Sequence, residues 1–471
     1  MFIERFEDKG LAQYAYAIGC PGAGKMAVID PRRDIDVFID YAKAQGLEIA
    51  YVLETHIHAD FASGARELAE RTGAELWLSD YDTGETFEVQ FPHRPMRDGD
   101  TVAFGAVKIQ AMHTPGHTPE HLSFLVYDTN RSADVPMLFL TGDFLFVGSL
   151  GRPDLLGEDA KRALAHRQYQ SVQRLRDLPD GLEIHPAHGA GSMCGAGIGG
   201  RPVSTLGYER IANPFLDPRL TEAQFVETLL ATVPPFPEYY KRMKRVNAEG
   251  PRVLGGLPGM TPMPVERFKQ AVDAGAVVID LRDQLGFGAG HIPGAFGIGA
   301  GEKVSMWASW VVPYDTPILL VSGGASADVE LAVRNLVRVG LDTVEGYLDG
   351  GMTAWIEAGL PLRETPQITP RDLSARLAQG TIQLLDVRED NEWAEGHAAG
   401  ATHIIAGHVG ANLSQVPNGT RPLAVMCGSG YRSTVAASVL ERAGRDDVVN
   451  VTGGMTAWRM AGLPTVKGGP S

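Results

Sequence analysis

An α/β fold in three units is predicted for the 471-residue chain from three observations: β-rich runs alternate with helical stretches through residue 210, the later part is duplicated, and turn-rich linkers separate the pieces. At roughly 150 residues per domain, this length suits about three cores. In the first part "KMAVIDP", "EIAYVLETH", "VKIQAMHTPGH" and "MLFLTGD" read as strands with polar or metal-type residues at or just past their ends. Loops held by rigid strands are where layered α/β folds place sites. Gly-rich loops punctuate them, and "SGARELAERTG" reads as helix. From Thr221 the pattern "TEAQFVETLLATVPPFPEYYKRMKRV" predicts a helical appendage, N-capped by Thr221 and interrupted by the Pro-rich 234–237. The stretch "EGPRVLGGLPGMTPMP", 249–264, is a linker, so the first unit is placed at 1–250.

The remainder repeats itself. "VVIDLRDQLGFGAGHIPGA" (277–295) returns as "QLLDVREDNEWAEGHAAGA" (383–401), which pairs Asp280 with Asp386 and His291 with His397 at one offset. "DGGMTAW" (349–355) returns as "TGGMTAW" (452–458). Copies of this length are too long for solenoid repeats and predict two small α/β domains, 262–363 and 367–466, joined through "LRETPQITP".

Composition narrows the function classes. The balance of 42 basic against 57 acidic residues, a formal charge of −15, argues against nucleic acid as the main partner. No apolar run reaches bilayer length, and "MFIERFEDKG" lacks a basic n-region and an apolar h-region, so a cytoplasmic protein without membrane partners is expected. Three scattered cysteines, Cys20, Cys194 and Cys427, point to reduced thiols rather than a disulfide framework.

Metal-type residues gather in order: His56, His58 and Asp60 in "THIHADFASG", then "HTPGHTPEH" (113–121), "FLTGDFLF" (139–146) and "IHPAHGAGSMCG" (184–195). A single His is usually a satisfied structural residue; here the order and spacing of the whole set carry the signal. The set resembles the metallo-β-lactamase superfamily across roughly the first 210 residues. That resemblance implies an αββα sandwich with metal at one edge of two sheets. Two-metal members place a His after the Asp of His-x-His-x-Asp, where this chain has Phe61. Losing that ligand leaves a small facial set with open positions, and two imidazoles with one carboxylate suit Fe(II) and O2. Through "HIHAD", "TPGHT", "TGD" and "GRPD" the resemblance narrows to the persulfide dioxygenases, although their His after the Asp is missing here too. It implies one Fe(II) per chain held by His56, His117 and Asp143, with His58, Asp60 and His188 orienting those ligands. Arg152 either holds an anionic substrate or fixes its loop through Asp154. Cys194 either lines the substrate channel or is a packed thiol, and Cys20 is structural. His113, His121 and His185 are hydrogen-bonded neighbours rather than ligands. The contrary reading is a thioester hydrolase resembling glyoxalase II, which needs the fuller ligand set.

In the second repeat "VMCGSGYRST" (425–434) follows a β-rich run and precedes a helix. A Cys at a strand end, a Gly-containing loop and an Arg five residues on make a cradle of N–H groups that stabilises a thiolate. With "LLDVRE", "EGH" and "GGMTAW" around it, residues 367–466 resemble a rhodanese domain. The resemblance makes Cys427 the acceptor of a sulfane sulfur, with Arg432 steering thiosulfate or sulfite. Four residues between Cys427 and Arg432 suit sulfur rather than the longer loop of related phosphatases. The first repeat has "VSGGASAD", with Ser322 and Ala327 in those places, and is read as catalytically silent.

The order of these parts resembles the persulfide dioxygenase–rhodanese fusions of bacterial sulfide detoxification. It implies oxidation of a small persulfide such as glutathione persulfide by O2 to sulfite and thiol, with sulfur exchange to or from thiosulfate at Cys427. It also implies a homo-oligomer. Which thiol carries the persulfide, and which way sulfur flows through Cys427, stay open.

Overall fold

Strands Phe2–Asp8 and Gln13–Cys20 pair antiparallel, from Phe2 opposite Gly19 to Asp8 opposite Gln13, and form a hairpin ahead of the first run quoted above. The protein, a computed structural model, is described for residues 1–324 and 326–468. Every residue of Gln13–Cys20 is buried, and its two faces divide with period two. Tyr14, Tyr16, Ile18 and Cys20 enter a core between two sheets, while Ala15 and Ala17 pack under helices on the outer face.

The first sheet runs in the order Phe2–Asp8, Gln13–Cys20, Lys25–Ile29, Glu48–Leu53, Glu75–Ser79, Arg94–Met96. The second runs Ser204–Thr205, Glu183–Pro186, Leu138–Gly142, Leu122–Asp128, Val107–His113, Thr101–Phe104. Ile29, Leu53 and Met96 of the first meet Ile109, Phe124, Val126 and Leu140 of the second in one core. Each such side chain contributes about 1.5–3 kcal/mol on full burial. Helices Asp36–Gln45 and Ala65–Thr72 cover the first sheet, and Glu158–Arg174 and Glu222–Ala231 the second. This is an αββα sandwich. At Thr221 a capping box forms, the Thr221 hydroxyl accepting from the Gln224 N–H and the Gln224 side chain accepting from the Thr221 N–H.

The chain divides into two compact units, the first Met1–Gly256 with Val337–Gly340, the second the rest from Leu257 on. The second unit holds two parallel five-stranded sheets of identical order. One is Pro262–Met263, Val344–Leu348, Ile318–Val321, Val277–Asp280, Phe296–Gly297; the other is Gln367–Ile368, Val448–Val451, Leu423–Met426, Gln383–Asp386, Thr402–His403. Parallel neighbours need crossovers, and helices such as Ser326–Arg338 and Tyr431–Arg442 supply them. The duplicated motifs do the same work twice. Asp280 accepts from Arg282 and Asp386 from Arg388. His291 and His397 each hydrogen-bond the carbonyl four residues back and stack on Phe287 and Trp393 at 3.8 and 3.4 Å. No helix among the described residues is long and apolar enough to cross a membrane.

Candidate functional site

Three loops past strand ends converge at one edge of the sandwich: His56 after Glu48–Leu53, His117 after Val107–His113, Asp143 after Leu138–Gly142. All three are buried. Asp143 Oδ2 lies 3.3 Å from His117 Nε2 and 3.9 Å from His56 Nε2, and one donor atom from each residue falls within 4.8 Å of the others. None of these three atoms has a hydrogen-bond partner among the described residues. A buried polar group left unmatched costs about 1–3 kcal/mol, so three facing one point are a donor set for a cation. The residues fit a metal ion.

Their outer atoms are all held. His117 Nδ1 donates to the Arg152 carbonyl at 2.8 Å, which turns the Nε2 lone pair inward. His56 Nδ1 lies 2.9 Å from Thr55 Oγ1, and that hydroxyl donates to Asp30 Oδ2 at 2.9 Å. His121 Nε2 accepts the Asp143 backbone N–H at 3.0 Å. Gly151 of "GRPD" passes so close that a Cβ would sit 1.9 Å from the Asp143 carbonyl oxygen. Burial, helped by the neighbouring histidines, pushes the His56 and His117 imidazoles well below their usual pKa, so both are neutral, as ligands must be.

His188 bridges two carboxylates, Nδ1 to Asp143 Oδ1 at 2.6 Å and Nε2 to Asp60 Oδ2 at 2.7 Å. Burial opposes its charge, but Asp143 and Asp60 outweigh burial and hold its pKa well above the usual value. This contact leaves Asp143 Oδ2 free to face the two imidazoles. His58 turns the other way, its Nε2 3.2 Å from Asp30 Oδ1, and Phe61 is fully buried against its ring at 4.4 Å. Cys194 is 1 % exposed, with Sγ 3.8 Å from Tyr240 Oη, and groups with Asp60 and His188. Burial pushes its thiol well above the usual pKa.

The anion-binding reading of Arg152 is corrected. Its side chain is buried, and its donors go to Asp154 and to the carbonyls of Met193, Pro234 and Pro235. With no N–H left over, Arg152 fixes loops and offers its own carbonyl to His117. His113 and His185 hydrogen-bond Pro119 O and Glu183 and supply no atom to the trio.

Three residues of the helix Tyr239–Glu249 reach this site without any sequence signal for it. Tyr240, Lys244 and Asn247 share a face by their spacing of four and three. Lys244 Nζ donates to the Ile57 carbonyl at 2.8 Å and lies 3.6 Å from Glu120, whose carboxylate accepts the Ile57 N–H. Asn247 Nδ2 donates to the carbonyls of His58 and Phe61, while its Oδ1 accepts the Ser63 N–H. The helix thus pins the loop that carries His56 and Asp60. Asn247→Ala is expected to weaken metal binding to the apoprotein about 10–100-fold in a chelator competition, as loss of outer support does elsewhere. Unchanged affinity would show that the loop holds itself.

In the second unit Cys427 ends strand Leu423–Met426 and is fully buried. Its Sγ accepts the Gly430 N–H at 3.1 Å and faces Ser433 Oγ at 3.5 Å. Gly430 has φ +111°, and a Cβ there would strike Gln284 of the first repeat, so only glycine suits this turn. Tyr431 Oη donates to the Gly299 carbonyl at 3.0 Å, again bracing the loop on the first repeat. Arg432 reaches the loop, but its guanidinium is clamped by both oxygens of Glu392 at 2.5 and 2.7 Å. In the first repeat Ser322 Oγ accepts the Gly324 N–H at 3.3 Å; Ala325 of that loop lies outside the described residues.

Residues 9–188 match the metallo-beta-lactamase superfamily, and 264–358 and 369–461 match the rhodanese-like domain. A solved metallo-beta-lactamase structure from Staphylococcus aureus subsp. aureus COL aligns at a TM-score of 0.64 and 35% identity, over 74% of this chain and 98% of that one. The hydroxyacylglutathione hydrolase of Maricaulis maris is 30% identical over 44% of this chain and 82% of its own length. The mitochondrial persulfide dioxygenase of Bos taurus is 28% identical over 48% and 79%. The chain belongs to the metallo-β-lactamase superfamily and carries two rhodanese-like domains after that fold.

Proposed function

We propose that the first unit is a non-haem iron persulfide dioxygenase holding one Fe(II) per chain, and that Cys427 exchanges sulfane sulfur with thiosulfate or a thiol. The observation that carries the reading is the buried trio His56 Nε2, His117 Nε2 and Asp143 Oδ2, facing one another without partners, beside a phenyl ring at position 61 where a two-metal site needs a ligand. Similarity to a persulfide dioxygenase, and rhodanese-like domains on the same chain, support it. Bound iron supplies the redox chemistry that joins O2 to the terminal sulfur of a persulfide. The chain's residues do the rest: His56, His117 and Asp143 hold the ion, His188 and the Arg152 carbonyl orient two of them, and burial keeps bulk water out. A hydropersulfide, O2 and water then yield sulfite, the thiol and two protons.

The second reading, a thioester hydrolase, draws on the hydrolase relative and on the group Asp60, His188 and Cys194, a possible second donor set. Both nitrogens of His188 are already engaged by carboxylates, which disfavours it. Elemental analysis with O2 uptake on glutathione persulfide decides. One iron and sulfite formation is expected; two zinc ions with thioester hydrolysis and no O2 uptake would sink the proposal. The first repeat is proposed to be silent, bracing the Cys427 loop through Gln284 and Gly299. Ser322→Ala is therefore expected to leave sulfur transfer intact, and a tenfold loss, about 1.4 kcal/mol, would mean the working copy is misassigned.

A further inference from the structure

The only cation of the Cys427–Arg432 loop is Arg432, the intervening residues being Gly428, Ser429, Gly430 and Tyr431. Its position beside the loop is tight: a Cβ on Gly428 would lie 3.2 Å from Arg432 Nη2 and 3.6 Å from Glu392 Oε1. Glu392 neutralises it bidentately, and a second carboxylate, Glu389, stands 3.6 Å from Nη1. The two glutamates are built into one element. They exchange capping-box bonds at the start of the helix Asp390–Glu395, so Glu392 is held in place from both sides. Arg432 outweighs the effect of burial and holds the Glu392 carboxyl below its usual pKa, so it is charged at neutral pH. Arg388, buried in its own pair with Asp386, also helps to hold the Glu392 carboxyl down, while burial pushes the Glu389 carboxyl up from its usual value. Asp390 adds a further exposed carboxylate, with the His403 ring 3.8 Å away.

We infer that Glu389 and Glu392 make the Cys427 loop select sulfane-sulfur donors with at most one negative charge beside the reacting sulfur, against the dianion thiosulfate. The inference rests on Cys427 being the sulfur carrier. In the half-reaction the Cys427 thiolate attacks the outer sulfur of the donor and a Cys427 S–S bond forms. The donor's own S–S bond breaks, and sulfite leaves thiosulfate, or methanesulfinate leaves methanethiosulfonate, with the bonding pair. No oxidant is needed. The two donors transfer the same atom and differ in charge, two against one, so a loop whose carboxylates outnumber its guanidinium penalises thiosulfate more.

The test is steady-state sulfur transfer to a fixed thiol acceptor with thiosulfate and with methanethiosulfonate, together with mass spectrometry of Cys427. In the full-length protein Glu392→Gln frees Arg432 while keeping an oxygen for the cap. It is expected to raise the thiosulfate-to-methanethiosulfonate ratio of kcat/KM about fivefold, through KM, with the gain shrinking at high salt. Glu389→Gln, which leaves the bidentate pair intact, should move the ratio the same way by less and guards against a misfolded Glu392 variant. Ratios unchanged in both variants, or shifted through kcat alone, overturn the inference while leaving Cys427 as the carrier. If mass spectrometry finds no added sulfur on Cys427 of the unaltered protein from either donor, the carrier reading fails first and the selectivity falls with it.

Discussion

His117→Ala is expected to abolish O2 uptake with a persulfide while thiosulfate-to-thiol transfer persists. The imidazole supplies one of three unpartnered buried donors, and its Nδ1 is spoken for by the Arg152 carbonyl. Removing it leaves one imidazole and one carboxylate, too few to retain a divalent ion against chelation. Iron content should fall below about a tenth of an equivalent, and O2 consumption by more than about a hundredfold, a larger loss than removal of an outer support. Sulfur transfer should persist because Cys427 lies in the other compact unit and nothing else in residues 425–434 resembles a metal ligand. Full iron content with normal O2 uptake would remove His117 from the metal site.

Cys427→Ser is expected to do the reverse. Sulfur is a soft nucleophile that can carry a persulfide, whereas a serine hydroxyl in the same cradle cannot. Thiosulfate-dependent transfer should drop by about a thousandfold or more, the scale seen when a nucleophile is deleted. O2 uptake with free glutathione persulfide should be retained, with sulfite as the sole oxidised sulfur product. Loss of O2 uptake in this variant would mean that Cys427 delivers the sulfur to be oxidised, and that the two centres do not act independently.

The motifs that could be read in the chain are those whose geometry is local. Asp280 with Arg282, and Asp386 with Arg388, close two-residue bonds that any copy of the motif makes. Four residues between Cys427 and Arg432 are enough to lay the Gly430 N–H against Sγ. Thr221 with Gln224 closes a capping box within one turn. His56, His117 and Asp143 were readable because each follows a strand end, and strand ends at one edge of a sandwich are brought together by the sheets. Asp30 offered the same signal, at the end of "KMAVIDP", but its task of holding Thr55 and His58 depends on a neighbouring strand.

What the linear chain determined by itself was therefore the identity and order of the candidate groups: His56, His117 and Asp143, the phenylalanine that follows Asp60, the cysteine loop and its serine counterpart. Only the tertiary structure decided which atom each group presents and what neutralises it. Arg152 and Arg432 look alike in the sequence, as cations beside a site. Folding consumes the donors of the first on Asp154 and three carbonyls, and clamps the second with Glu392, forty positions away. Lys244 and Asn247 reach the metal loop from a helix more than 180 residues further on. A periodicity reads only the few residues around it, whereas hydrogen-bond saturation and charge pairing are settled by whatever the chain brings within about 3 Å.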